Sequence, residues 1–293
     1  MNSELQQTID AHRNLFGISN TLVHGRPPLT HVKEDLEQVL AGVRELVYIP
    51  YAYGNMDKII DILTPAFKDM GVKTVKSPHN YPNQETQVIL DAEAIFIGGG
   101  NTGRLVANLW ALRNADGSLV DQRPNSSKNP LVNSIREQAS QGTWIIGSSA
   151  GLNVMCSDIR ATNDMQAAVQ ELSDGSRVLR IDGLGLLPGN LSINPHFQDS
   201  VVVTDEEREK ILEINPKLRV LIDHQGESRT ERLTQLQEMD NKRVILALRE
   251  GSYITVHGKE MNLHGNTGGL IFEYGKEPRA VSNGDRLDQL LSI

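Results

Sequence analysis

Short apolar runs alternate with helix-period segments along the first half of the chain. Residues 16–19, 45–51 (ELVYIPY), 72–75, 94–97 (AIFI) and 143–146 (TWII) are expected as strands. Near-continuous apolar runs of this length suit strands buried on both faces. Between them, 32–43, 56–70, 84–92 and 131–141 are expected as helices, with a further helix starting near Thr102. Strands alternating with helices predict a parallel sheet covered on both faces. The second half differs. Residues 178–193 carry β-type residues broken by glycines, 205–214 and 228–239 look helical, and 244–248, 253–256 and 270–274 look like strands joined by glycine turns. There is no internal repeat. The most loop-like stretch, 113–129 (RNADGSLVDQRPNSSKN), is polar and turn-rich and is expected as a surface insertion.

Composition narrows the classes without naming one. Of 293 residues, 39% are hydrophobic and 23% charged, ordinary for a globular chain, and the formal net charge of -8 speaks against a nucleic-acid partner. The one cysteine, Cys156, excludes an intramolecular disulfide framework. The start MNSELQQTIDAHRNLF has no basic segment followed by an apolar run, and no stretch approaches the about 18 consecutive apolar residues of a membrane span. A reducing, cytoplasmic setting is therefore expected, with no membrane partner.

The strongest chemical pattern is Gly147-Ser148-Ser149-Ala150-Gly151, a G-x-S-x-G that follows TWII and precedes a helix-capable stretch. A sharp strand-to-helix turn forces its central residue into a strained conformation, small neighbours let the backbone close, and the serine oxygen projects at the strand's carboxyl end. The spacing selects Ser149 over Ser148. A second pattern, Gly98-Gly99-Gly100-Asn101-Thr102-Gly103, also follows an apolar strand. Literally it contains the dinucleotide fingerprint G-x-G-x-x-G, with Asp121 at the spacing of the ribose-binding acid but inside the polar insertion. The other use is an oxyanion hole, in which a glycine N–H approaches a reacting carbonyl and the N–H of Ala150 completes the pair.

A serine nucleophile needs a base, and the base an orienting acid. Among eight histidines, His196 stands out, because Asn194-Pro195-His196-Phe197 follows an apolar stretch and can fix the ring. Asp164, shortly after the elbow, and Glu250, at the end of the strand VILAL, are the candidate acids. Strand ends are where the active-site residues of open α/β sheets gather. No His-Glu-x-x-His or related spacing is present, so neither a catalytic metal nor a cofactor is expected.

These motifs converge. GGGNT at 98–102, GSSAGLN at 147–153, RATNDM at 160–165, INPHF at 193–197, HQGESR at 224–229 and REGS at 249–252 resemble peptidase E, the α-aspartyl dipeptidase family, and the likeness runs from about residue 15 to the C-terminus. SNTLVHG at 19–25 and GNTGGLIF at 265–272 are similar too. The resemblance implies a flavodoxin-like three-layer α/β/α fold, related to class I glutamine amidotransferases but with serine as nucleophile. It implies cleavage of dipeptides with an N-terminal aspartate. Ser149 matches the family nucleophile and His196 its base, while both Asp164 and Glu250 match acids proposed for the third place. Glu250 is preferred, with Asp164 supporting the site or meeting substrate. Ser148 departs from the aromatic expected before the nucleophile, and residues 1–14, 113–129 and 199–222 look like additions to one catalytic domain spanning 1–293.

The expected reaction is acyl transfer, with Gly99, Gly100 and Ala150 around the oxyanion. An aspartyl side chain entering a partly dry pocket needs a cation. Arg229 is the first candidate, although it could instead pair with Glu227 or Glu231. Arg160 is the second, and Asn101 a further substrate-site candidate. The rival functions are a cyanophycinase-like peptidase, a nucleotide-binding oxidoreductase built on GGGNTG and a non-catalytic sensor on the same fold. Expected partners are small peptides, with a homodimer as the one candidate assembly.

Overall fold

A computed structural model describes residues 3–23, 25–110, 129–164, 168–171, 177–199, 205–214 and 228–293. Its centre is a seven-stranded sheet in the order β11-β10-β1-β5-β4-β2-β3. The strands are β1 (Asn14–Ile18), β2 (Glu45–Ile49), β3 (Thr74–Lys76), β4 (Ala94–Ile97), β5 (Trp144–Ser148), β10 (Ser252–His257) and β11 (Glu260–Gly265). The first five run parallel to their neighbours in that set, whereas β10 pairs antiparallel with both β1 and β11.

Strand periodicity explains why the sheet is covered on both sides. Alternate residues point to opposite faces. Phe16, Leu46, Tyr48, Phe96 and Ile146 fall in one apolar cluster with Leu63 and Phe67 of helix α3 (Met56–Asp69). Leu15, Val47, Ile49, Ile95, Ile97 and Ile145 fall in the other, with Leu105 and Val106 of α5 (Thr102–Leu109) and Val132 and Ile135 of α6 (Pro130–Ser140). The result is helices, mostly parallel sheet, helices: the three-layer α/β/α fold. On the first face the rings of Tyr48, Phe67 and Phe96 pack edge-on, with centroids 5.0–6.2 Å apart.

A second, four-stranded sheet has the order β13-β12-β9-β8, made of β13 (Arg279–Val281), β12 (Gly269–Phe272), β9 (Val244–Arg249) and β8 (Leu191–Phe197). β8 and β9 are parallel. One face of this sheet joins the large cluster through Ile193, Leu246 and Leu248. The other packs Ile245, Ala247 and Phe272 against Leu233 and Leu236 of helix α9 (Arg229–Met239). A two-stranded ribbon, β6 (Ala168–Glu171) with β7 (Arg177–Arg180), completes the strands.

Residues 1–14, expected as an addition, contain helix α1 (Ser3–His12), whose Ile9 is fully buried, and Asn14 opens β1. The two expected insertions lie largely outside the described residues. Within the second, α8 (Asp205–Ile214) is helical as expected, and Asp199 binds Arg249 through both carboxylate oxygens, at 2.6 and 2.7 Å.

Candidate active site

β5 is central, flanked by β1 and β4, and it ends at Ser148. Ser149 follows with φ 53° and ψ −112°, its N–H donating to the Ile18 carbonyl at 2.9 Å. Helix α7 (Ala150–Val154) starts at once, so Ser149 sits on a strand-to-helix elbow. The elbow closes only because both flanking residues lack side chains. A Cβ on Gly147 would lie 2.6 Å from the Gly151 carbonyl oxygen, and one on Gly151 only 2.0 Å from that of Ile97. Gly99, after β4, is also close, though less so: a Cβ there would lie 3.0 Å from that of Ser149. Among the described residues, the N–H groups of Gly99, Gly100 and Ala150 have no hydrogen-bond partner.

His196 comes from β8 at an irregularity. The β8–β9 register shifts between Asn194 and Phe197, and His196 adopts φ 54°. Pro195 has no N–H to lose from the ladder, so it suits a bulge, and a bulge re-aims the next side chain. The imidazole Nε2 lies 2.8 Å from Ser149 Oγ, and Nδ1 lies 2.6 Å from Glu250 Oε1. An ionised carboxylate can only accept, so Nδ1 carries the proton and Nε2 presents its lone pair to the serine hydroxyl. Glu250 stands between β9 and β10 with 51% of its side chain exposed. At that exposure the pair is screened by solvent, so the contact can orient the ring but buries little charge beside it.

An open cleft of about 380 Å³ surrounds these groups. Asp164 lines it but does not touch the imidazole: its carboxylate accepts the Thr102 N–H at 2.5 Å, at the start of α5. Arg229 lines the cleft at the first turn of α9. Its Nη1 is buried without a hydrogen-bond partner among the described residues. Burial lowers its pKa, opposed by Glu250 and reinforced by Arg232. Glu231, the alternative partner for Arg229, instead closes a capping box with Ser228. Glu227 lies outside the described residues. Arg160 is not brought to the cleft; its fork is held by Asp158 at 3.1 and 3.2 Å and by Asp240 at 2.8 Å. Asn101 is likewise used elsewhere, capping α5 by accepting the Arg104 N–H at 2.8 Å.

A serine on an elbow, engaged by histidine and that histidine by glutamate, is the equipment of a serine hydrolase. Comparison with known proteins agrees. The sequence model of peptidase family S51 matches residues 15–264. The chain belongs to peptidase family S51. It is thus a serine-type peptidase, and peptides are its substrates. Peptidase E of Streptomyces coelicolor is 30% identical over 280 residues, 96% of each chain. A Drosophila melanogaster protein named "Probable alpha-aspartyl dipeptidase" is 31% identical over 264 residues, 89% of this chain and 90% of its own. The fold is shared with the crystal structure of a peptidase from an acI-B1 actinobacterium, with TM-score 0.58 at 16% identity over 94% of this chain and 98% of that one.

Membership of family S51 removes the oxidoreductase alternative, and the geometry says why GGGNTG misleads. The start of α5, where a pyrophosphate would sit, is filled by the Asp164 carboxylate. Gly100, at φ 132°, backs onto the Ala52 carbonyl, where a Cβ would come within 2.8 Å. Asp121 lies outside the described residues. Among those described, no cluster of His, Cys, Asp and Glu could hold a metal ion, and no helix is long and apolar enough to cross a membrane. Sequence reasoning missed Asn20, Thr21, Leu22, Tyr53 and Asn163, which line the cleft. The first four follow β1 and β2 at their carboxyl ends, so the strand-end rule already pointed to them. Ser148, in place of the expected aromatic, is fully buried and shares a 2.6 Å hydrogen bond with Thr21.

Proposed function

We propose that this S51 peptidase hydrolyses dipeptides with an N-terminal aspartate through an acyl-enzyme on Ser149. The continuous chain of hydrogen bonds Ser149–His196–Glu250, at 2.8 and 2.6 Å, carries the reading. His196 Nε2 takes the Ser149 proton as Oγ attacks the scissile carbonyl carbon. The developing oxyanion is met by the N–H of Gly99 or Gly100 and that of Ala150, and each such donor is worth about 10²–10³ in kcat. The C–N bond then breaks, and the imidazolium returns its proton to the leaving amine. Water, deprotonated by His196, attacks the ester, releases aspartate and restores Ser149. Glu250 holds Nδ1–H throughout and stabilises the imidazolium. Asp164 fixes the start of α5 beside the Gly99–Gly100 turn, and Asn101 caps the same helix. Arg160 is assigned to packing.

Arg229 supplies the aspartate preference. An arginine that lines the cleft, with one guanidinium nitrogen buried and without a hydrogen-bond partner among the described residues, favours a carboxylate, which its planar fork can bind at two points. The Drosophila relative's name supports the same substrate class. The test is turnover of Asp-X, Glu-X, Asn-X and β-aspartyl dipeptides by the wild type and Arg229→Met. Asp-X should dominate, and the variant should lose kcat/KM on it by about 2–5 kcal/mol, the cost of breaking a desolvated charge pair. Asn-X, poor already, should lose little further. Equal losses on charged and uncharged substrates would assign Arg229 to structure, and preferred cleavage of β-aspartyl links would favour the cyanophycinase-like alternative.

One catalytic domain over 1–293 belongs to the same proposal, since both sheets contribute to the site. So does a cytoplasmic setting, in which the buried free Cys156 stays reduced. Homodimer formation is checked by sedimentation velocity.

A further inference from the structure

The peptide group joining Pro195 to His196 is gripped at both of its polar atoms by distant side chains. Asn163 Nδ2 donates to the Pro195 carbonyl at 2.6 Å, and the His196 N–H donates to Ser19 Oγ at 2.9 Å. Both side chains are themselves committed. The Ser19 hydroxyl, fully buried just beyond β1, donates to the Leu248 carbonyl at 2.9 Å, so a lone pair faces His196. Asn163 accepts from Asn194 Nδ2 at 2.9 Å, which turns its own Nδ2 toward Pro195. Neither residue is hydrogen-bonded to the Ser149 hydroxyl or to the Glu250 carboxylate. The acid side has a parallel: Asn20 Oδ1 accepts the N–H of Gly251, next to Glu250, at 2.7 Å.

The need for such a grip follows from the bulge. Where the β8–β9 register shifts, a peptide group leaves the ladder, and its C=O and N–H must find other partners. His196 also holds φ 54°, a conformation a non-glycine residue keeps only under constraint. Released, this peptide group would rotate, the residue would relax toward the extended region, and the ring would leave Ser149.

We propose that Ser19 and Asn163 are positioning residues for the general base: together they lock the Pro195–His196 peptide plane and thereby hold the imidazole against Ser149. The proposal rests on the serine–histidine reading above. It gives a role to Ser19 and Asn163, which the acyl-transfer steps leave idle.

Ser19→Ala, Asn163→Ala and the double variant are compared with the wild type and Ser149→Ala. Two readouts are taken: steady-state hydrolysis of an Asp-X dipeptide, and the rate at which a fluorophosphonate labels Ser149. The second needs the base but no aspartate contact, so it separates positioning from substrate binding by Asn163 at the cleft edge. Each single variant should lose about 10²-fold in kcat, the scale of a small misplacement of a reacting group, with KM nearly unchanged and labelling slowed in step. The double variant should be no slower than the slower single, because residues acting through one group are not additive. Unchanged labelling in the single variants, or losses that multiply, would overturn the proposal. If circular dichroism shows that Ser19→Ala has unfolded, Asn163→Ala decides alone through its labelling rate per folded molecule. Activity surviving in Ser149→Ala would instead remove the underlying reading, whereas a dead Ser149→Ala beside a fully active Asn163→Ala removes only the clamp.

Discussion

A non-glycine residue held at positive φ costs about 1–3 kcal/mol and persists only where its surroundings impose it. Of the four such residues among those described, two are Ser149 and His196, so half of these strained positions belong to the two residues joined by the 2.8 Å Oγ–Nε2 contact. The adjacent Ser148 shows what an unstrained serine does in the same turn: it lies in the strand, fully buried, and bonds Thr21. The two hydroxyls should therefore respond differently to deletion. Ser149→Ala should lower kcat by about 10⁶-fold, as loss of the nucleophile does in other serine peptidases, and leave the unfolding transition in place. Ser148→Ala should keep substantial activity and lose about 1 kcal/mol of stability with its buried hydrogen bond. Measuring kcat and urea midpoints for both variants decides the matter, and a dead Ser148→Ala beside an active Ser149→Ala would reverse the assignment.

At the level of elements, the elbow is a contact problem between α7 and β4. Gly151→Ala sets a methyl 2.0 Å from the Ile97 carbonyl, so helix or strand must move. Gly189 has open space around its missing Cβ and no positive φ. Gly151→Ala should lose at least about 3 kcal/mol, the upper end for overpacking, together with most activity. Gly189→Ala should be neutral or gain up to about 1 kcal/mol through the unfolded chain. Equal urea midpoints for the two would refute this account of the elbow. The same distinction between local and distant causes governs what the sequence could reveal. β4 was legible to the residue, because AIFI is apolar throughout and stops at three glycines. The elbow and NPHF were legible because their chemistry is local. β11 (EMNLHG) was not, since only Met261 and Leu263 are apolar in it, and β13 has three residues. Helix α1 buries only Ile9, too little for a periodic stripe. Nor does any pattern say that β8, β9, β12 and β13 leave the main sheet to form their own. Ser19 went unread for a further reason: its partner, the His196 N–H, lies 177 residues away, and backbone groups carry no side-chain signal.

Across the whole molecule, the site is a joint between two sheets. Ser149 stands at the end of β5 in the seven-stranded sheet, whereas His196 and Glu250 come from β8 and the end of β9 in the four-stranded one. On the proposed mechanism, activity should last only while the sheets stay docked, and Cys156 lies in the seam. It follows α7, is fully buried, and its Sγ accepts the Ile193 N–H of β8 at 3.3 Å. Burial pushes its thiol up to about 12, against the smaller opposing effect of the Ile193 N–H. Since the thiolate is the reactive form, the folded protein should resist an aromatic disulfide reagent. Labelling in urea should appear at the same midpoint as the loss of dipeptidase activity. The pH dependence has a definite sign. The unfolded thiol ionises near its ordinary value of 9.0 and the folded one does not until about 12, so the stability from keeping it neutral is complete below 9.0 and is lost as pH rises toward 12. The urea midpoint should therefore drop on going from about pH 8 to about pH 10, and drop less in Cys156→Ala, which has no thiol to ionise. Rapid labelling of Cys156 in fully active enzyme would show that the seam opens without disturbing the Ser149–His196 contact, and the two sheets would then not be the unit on which activity depends.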